Sequence, residues 1–321
     1  MKKRPAARTK RSQNASSRLR VSLVGAGAVG STLLTKLFEQ GCEVVSIVSR
    51  SGKPALALAK ETQCRKVSTS LTDISADTDI LLIAVPDTAM AEVVRSVASQ
   101  KHLRFSRMLV VHTSGVHSTE VLKTLQRRGA AVASMHPVQS FPKSKPVRAR
   151  VKSLEGIAYG VEGEAKALER VNTLVRSLGG RSVHVSKDLK PLYHAACVFA
   201  SNYGIALLNA VMETCQPLEF RAQWREVMLP LFTSSVENAL KSSPSEGLTG
   251  PIARGDFATV MMHLDSLQRN APQLVPFYCA AGVETARIAR TKGDLSSAQF
   301  RDLLDRLRRF IRSSAKPSKR S

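Results

Sequence analysis

The chain has 321 residues, 43% of them hydrophobic, and its 48 Lys and Arg against 25 Asp and Glu leave a formal net charge of +23. That length supports two buried cores and hence two domains. Five scattered cysteines (Cys42, Cys64, Cys197, Cys215, Cys279), with no CxxC pair and no Cys/His cluster at ligand spacing, argue against a structural zinc site or a disulfide framework and fit a reducing cytoplasm.

Residues 1–20 carry eight basic side chains and no acid, and they lack the apolar core of a secretory signal. With residues 313–321, which add Lys316, Lys319 and Arg320, they read as basic, disordered tails through which charge alone could contact nucleic acid or anionic lipid. Between Val21 and Lys187, apolar runs at 21–27, 43–49, 79–86, 108–114, 130–137, 156–163 and 182–186 alternate with amphipathic stretches such as "STLLTKLFEQG" and "AEVVRSVASQ". Alternating strand and helix predicts an α/β, Rossmann-like, doubly wound and mainly parallel sheet covered on both faces. From Asp188 the texture turns wholly helical, at 188–215, 219–241, 256–269, 272–291 and 297–312, which predicts an all-α second domain over 188–312. The apolar run 195–211 is short for a membrane span and has Ser201 and Asn202 at its centre, so it is expected as a buried helix of a soluble domain.

Gly25, Gly27 and Gly30 form GxGxxG directly after a strand and at the opening of a helix. The first glycine suits a tight turn, the second lets the backbone approach a pyrophosphate, and the third allows close helix–strand packing, with Ala28 and Val29 beside the phosphates. At the end of the second strand, where NAD-binding units place an acid, stand Ser49, Arg50 and Ser51. A cation flanked by hydroxyls favours NADP(H); the alternatives are a solvated Arg50 or one stacked on adenine.

Later strand ends supply the other candidates. Val85, Pro86 and Asp87 are expected beside the cofactor. Ser114, followed by Gly115, either orients a nicotinamide or substrate carbonyl or caps a turn, and His136 is either an acid/base or a structural residue. The basic run 143–152 reads as a solvated loop or as an electrostatic funnel for an anion. On the helix that follows, Lys190, His194 and Ser201 fall on one stripe with Asn202 beside it, so Lys190 or His194 can move a proton while Ser201 and Asn202 position a polar group. Thr249 and Arg254 can reach a substrate carboxylate, and Asp256 is expected to cap the next helix. No metal site is expected.

In their order, "VGAGAVG", "DILLIAVPD", "HTSG", "HPVQSF", "KPLYHAACVFASNY" and "LTGPIARGD" resemble the family of predicted oxidoreductases that joins a Rossmann-like domain to a helical C-terminal domain of unknown function. That family is similar in turn to the pyrroline carboxylate reductase and β-hydroxyacid dehydrogenase superfamily. The resemblance implies NADP-linked reduction or dehydrogenation of a small anionic keto/imino or hydroxy/amino metabolite at an interdomain cleft, in a homodimer without membrane contact. Onto this chain it carries the glycine motif at Gly25, Gly27 and Gly30, the strand-end Ser114, and Lys190, His194, Ser201 and Asn202 on the helix. One departure concerns the catalytic Lys, which β-hydroxyacid dehydrogenases place four residues before an Asn; here His194 follows Lys190 by four, and Asn202 lies twelve along. The alternative reading is a catalytically inactive dinucleotide-binding regulator or scaffold.

Overall fold

The computed structural model describes residues 18–314, which form two compact units divided between Ser201 and Asn202. The first unit holds one sheet of eight strands: β1 (Arg20–Val24), β2 (Glu43–Val48), β3 (Val67–Ser68), β4 (Ile80–Ile83), β5 (Leu109–His112), β6 (Ala131–Pro137), β7 (Ala158–Gly163) and β8 (Arg181–His184). Their order is β3-β2-β1-β4-β5-β6-β7-β8. All neighbours run parallel except β6 and β7. The strand order reverses between β1 and β4, so the carboxyl ends there open onto the crevice where doubly wound sheets hold ligands.

Among the described residues this unit has seven α-helices: α1 (Ala28–Glu39), α2 (Gly52–Glu61), α3 (Asp87–Ala98), α4 (Lys123–Arg127), α5 (Val147–Lys152), α6 (Ala165–Ser177) and α7 (Lys190–Val198). Strand alternation sends Val21, Leu23, Ile80, Leu82 and Val111 to one face, packed with Leu33, Leu37, Val171 and Val175 of α1 and α6. It sends Val24, Leu81, Ile83 and Val110 to the other, against Met90, Val94 and Leu125 of α3 and α4. Each such fully buried aliphatic side chain contributes about 1.5–3 kcal/mol.

Several expectations change here. The two residues of β3 are too few to show a period. Part of the basic run 143–152 is helix α5, begun by Pro146 at its N-cap and anchored by Val151, which is buried. Arg20, counted with the N-terminal tail, opens β1 and pairs with Asp79 at 3.1 Å. The rest of both tails, residues 1–17 and 315–321, lies outside the described residues. The strand-to-helix change comes near Asp188, yet α7 stays with the sheet because the Lys190 side chain is wholly buried against β6.

The second unit consists of α8 (Gly204–Thr214), α9 (Trp224–Lys241), α10 (Phe257–Asn270), α11 (Val275–Lys292) and α12 (Ser297–Ser314), with no strand among the described residues. Its core comes from α10 to α12, through Val260, Leu264, Val275, Cys279, Ala286, Leu303 and Leu307. Asp256 caps α10, its carboxylate accepting from the Thr259 N–H at 3.2 Å.

The stretch expected as a buried helix is not buried within this chain. Here α7 runs through a π-helical turn, Phe199–Tyr203, into α8. The resulting continuous helix, Lys187–Thr214, is long and apolar enough to cross a membrane by length and composition, because flanking residues join the 195–211 run without a break. Leu192 and Ile205 are about two-thirds exposed (67% and 65%), and α9 has no buried residue.

Candidate functional site

The turn after β1 separates glycines the chain needs from one it does not. Gly25 has φ +100°, and a Cβ there would lie 2.3 Å from the Ala84 carbonyl oxygen; a Cβ on Gly30 would lie 2.1 Å from the Gly25 oxygen. Both are required by backbone packing. Gly27, the N-cap of α1, has an ordinary extended conformation (φ −74°, ψ −174°), and a Cβ on it would meet no protein atom within 4 Å. Its bare backbone therefore faces open space, and no side chain caps the first N–H groups of α1. Uncapped N–H groups and the positive end of the helix dipole make an anion site there, so the residues present fit a dinucleotide pyrophosphate.

Beside this turn lies a cleft of ≈ 390 Å³, lined by Gly27, Ala28 and Ser31, by Ser49 and Ser51 after β2, by Pro54, Leu58 and Glu61 of α2, and by Lys143, Val147 and Arg150. Arg50 is exposed and is not among the lining residues. Val29 and Val85 pack against the two cores rather than into the cleft, Pro86 is the N-cap of α3, and Asp87 opens that helix, exposed. Lys143, Arg150, Ser31 and Glu61 are lining residues that sequence reasoning did not single out as a group. A basic run was visible, but which of its cations turns inward was not.

Further along the same carboxyl edge of the sheet, β5, β6 and α7 bring titratable groups together. The His136 Nδ1 and the Tyr193 hydroxyl are hydrogen-bonded at 2.8 Å, and the His136 and His194 rings meet edge to face with centroids 5.8 Å apart. Gly115 lies beneath both: a Cβ there would come within 2.6 Å of His194 Cδ2 and 3.0 Å of His136 Nε2. Gly160 makes room for Tyr193 in the same way, since a Cβ on it would lie 2.4 Å from the phenol oxygen. Burial, then the neighbouring His194 and Lys190 charges, push His136 down to about 4, so its ring is neutral at pH 7. Burial raises the Tyr193 phenol, which stays protonated. Tyr193 is the member of this cluster that sequence reading passed over; its adjacency to His194 was the available signal.

Lys190 is fully buried, its Nζ donating to Ser134 Oγ at 2.6 Å, and burial lowers its pKa. It is thus enclosed beside the cluster, with its ammonium held by Ser134. His112 is also fully buried. The Ser114 N–H donates to its Nδ1 at 3.2 Å, so Nε2 carries the hydrogen and faces the Ser118 carbonyl at 3.3 Å. Burial first, then the Lys190 charge, push His112 down to about 3.

The remaining candidates are placed as follows. Ser114 Oγ accepts from the N–H groups of Val116 and His117 at 3.3 and 3.0 Å, so of its two readings the turn is the one with visible partners. Ser201 donates to the Cys197 carbonyl at 2.6 Å inside the π-helical turn, and Asn202 is exposed. That turn breaks the 3.6-residue period after Val198, so the stripe expected from Lys190 through Ser201 holds only as far as α7. Thr249 and Arg254 are exposed on the loop before α10, in the second unit. No group of three or more His, Cys, Asp and Glu residues among those described is placed to hold a metal.

Comparison with known families matches residues 5–137 to a Rossmann-like domain and residues 157–285 to DUF2520, a domain of unknown function. The chain joins a Rossmann-like domain to a DUF2520 domain. Among solved structures, BF3122 from Bacteroides fragilis, named as an NADP oxidoreductase, is 21% identical and covers 84% of this chain and 98% of its own, with a TM-score of 0.69. TM1727 from Thermotoga maritima is 24% identical over 85% and 99%, with a TM-score of 0.63. A reductive aminase from Aspergillus terreus, solved with NADPH and ethyl-5-oxohexanoate, is 14% identical over 92% and 95%, with a TM-score of 0.53. At these identities the likeness is one of fold. No curated protein matches the sequence. In the first unit the glycine turn follows β1 and His136 ends β6, so both lie at the carboxyl edge of the sheet; Tyr193 and His194, which meet His136 from α7, fall within the residues matched to DUF2520.

Proposed function

We propose that this protein is an NADP(H)-dependent oxidoreductase that interconverts a keto or imino group with its hydroxy or amino form on a small anionic metabolite. One observation carries the reading: the open face of Gly27 and the His136–Tyr193–His194 cluster occupy the same carboxyl edge of one sheet. Fold neighbours whose names include an NADP oxidoreductase and an NADPH-bound reductive aminase support it. When bound, the dinucleotide supplies or accepts a hydride at C4 of its nicotinamide. The turn from Gly25 to Gly30 holds the pyrophosphate. Ser49, Arg50 and Ser51 receive the adenosine end, and the β2 end carries no acid of its own to oppose a 2′-phosphate.

His194, half-buried over Gly115, moves the proton. His136, neutral and tied to Tyr193, holds the His194 ring edge, and Lys190 is a positioning residue acting through Ser134. The protein further works as a homodimer, a reading supported by Leu192, Ile205, Leu231 and Leu240, which are 67%, 65%, 67% and 79% exposed in the single chain.

The test is consumption of NADPH across a panel of keto acids and cyclic imines. Wild type turns over at least one of them, and His194→Ala loses about 100-fold in kcat while NADPH affinity changes less than about threefold. Tight NADPH binding with no turnover on any substrate, in either direction, favours the regulator or scaffold instead.

A further inference from the structure

Arg150 is an unusual cation. It is only 7% exposed, and no carboxylate pairs with it among the described residues. Its Nε donates to Thr32 Oγ1 at 3.0 Å, Nη2 donates to Ser31 Oγ at 3.1 Å, and Nη1 donates to the Lys145 carbonyl. These bonds fix the plane of the guanidinium and leave one N–H on each terminal nitrogen unused. A buried guanidinium without a counter-charge is costly. The location adds to the cost, because Ser31 and Thr32 lie in the first turns of α1, where the helix dipole is already positive. Folding alone gives no reason to bring a charge there.

The cleft supplies one. Arg150 lines the ≈ 390 Å³ space together with exposed Lys143, and Ser49 and Ser51 at the end of β2 line the same space. Glu61 is the single acid among the lining residues, so the cations outnumber it. The β2 end is where a Rossmann unit presents the adenosine ribose 2′ position. Gly27, with its open face, takes the pyrophosphate at the helix terminus, whereas Arg150 hangs from side chains a turn deeper.

We propose that Arg150, assisted by Lys143, binds the 2′-phosphate of NADP(H), so that helix α5 as well as the β2 end sets the choice of cofactor. The inference rests on the dinucleotide reading above and deepens it. It moves the principal cation from Arg50, which is absent from the cleft lining, to a preorganised guanidinium that can make a two-pronged contact with phosphate oxygens.

Calorimetric titration with NADPH, NADH, 2′,5′-ADP and 5′-AMP tests it on the full chain, without need of a substrate. Wild type is expected to prefer NADPH to NADH and 2′,5′-ADP to 5′-AMP. Arg150→Met weakens NADPH and 2′,5′-ADP by about 10- to 100-fold, the range for loss of a charge-assisted contact, and leaves NADH and 5′-AMP within about threefold. Lys143→Met, an exposed substitution that leaves the core untouched, weakens the 2′-phosphorylated ligands alone by about three- to tenfold and serves if Arg150→Met does not fold. Equal weakening of both ligand pairs, or no weakening by the folded variants, overturns the proposal. Wild type that binds neither NADPH nor NADH defeats the cofactor reading itself. Wild type that binds both equally, with no preference for 2′,5′-ADP, keeps dinucleotide binding and defeats only the 2′-phosphate site.

Discussion

Replacing Gly115 with Ala tests whether the two imidazoles form a working constellation. Gly115 does not occupy the left-handed region, so the backbone accepts Ala; the obstacle is the space above it. The new methyl would sit 2.6 Å from His194 Cδ2 and 3.0 Å from His136 Nε2, against a carbon–carbon contact distance of about 3.5–4.0 Å. His136 cannot retreat without stretching its 2.8 Å bond to Tyr193, so His194 takes most of the displacement, about 1 Å. A shift of that size at a reacting group costs about 100-fold in rate, and the overpacking costs about 1–3 kcal/mol of stability. On the wild type's best substrate, kcat measured by NADPH absorbance should fall about 100-fold in Gly115→Ala while NADPH affinity stays within about threefold. His194→Ala should match that loss without the clash, and should raise the His136 pKa above about 4 in ring-proton NMR, because the His194 charge is one of the causes that lower it. A folded Gly115→Ala enzyme with kcat within about threefold of wild type would refute the reasoning.

Three further outcomes are expected. Gly27→Ala should melt within a few degrees of wild type yet lose dinucleotide affinity, whereas Gly30→Ala, with its Cβ 2.1 Å from a backbone oxygen, should fail to fold; calorimetry and circular dichroism separate the two. Stability should fall with acidification below pH 6.5, because the unfolded chain protonates His112 and His136 there while the folded chain resists until about pH 3 and 4. Each group withdraws up to about 2 kcal/mol between pH 6.5 and 5, read from urea unfolding, and a flat profile over that window would contradict the burial of both rings. Leu231→Glu should convert a dimer to a monomer by light scattering, and a wild type that is monomeric at micromolar concentration would remove the basis for that assembly.

The α/β order was legible because burial on both faces of a parallel sheet writes strands as unbroken apolar runs, as in "ILLI", and amphipathic helices write a 3.6-residue stripe between them. The three glycines were legible because turn, approach and packing each call for a missing Cβ at a set spacing. What misled was periodicity carried too far. The Lys190 to Ser201 stripe assumed an uninterrupted α-helix, and the π-helical turn at Phe199–Tyr203 ends that register. Apolar composition likewise suggested burial for 195–211, but composition does not say whether the covering surface comes from the same chain.

By itself, then, the sequence determined the succession of strands and helices, the dinucleotide-type turn and the lack of an acid at the β2 end, all of them local properties set by neighbours within a few residues. Only tertiary structure decided which cations and imidazoles are brought together and buried. His136 meets Tyr193 across 57 positions and Arg150 meets Ser31 across 119. Burial then sets their chemistry, because the same Lys or Arg is a solvated tail charge in water and an uncompensated cation when folded against a sheet or a helix terminus.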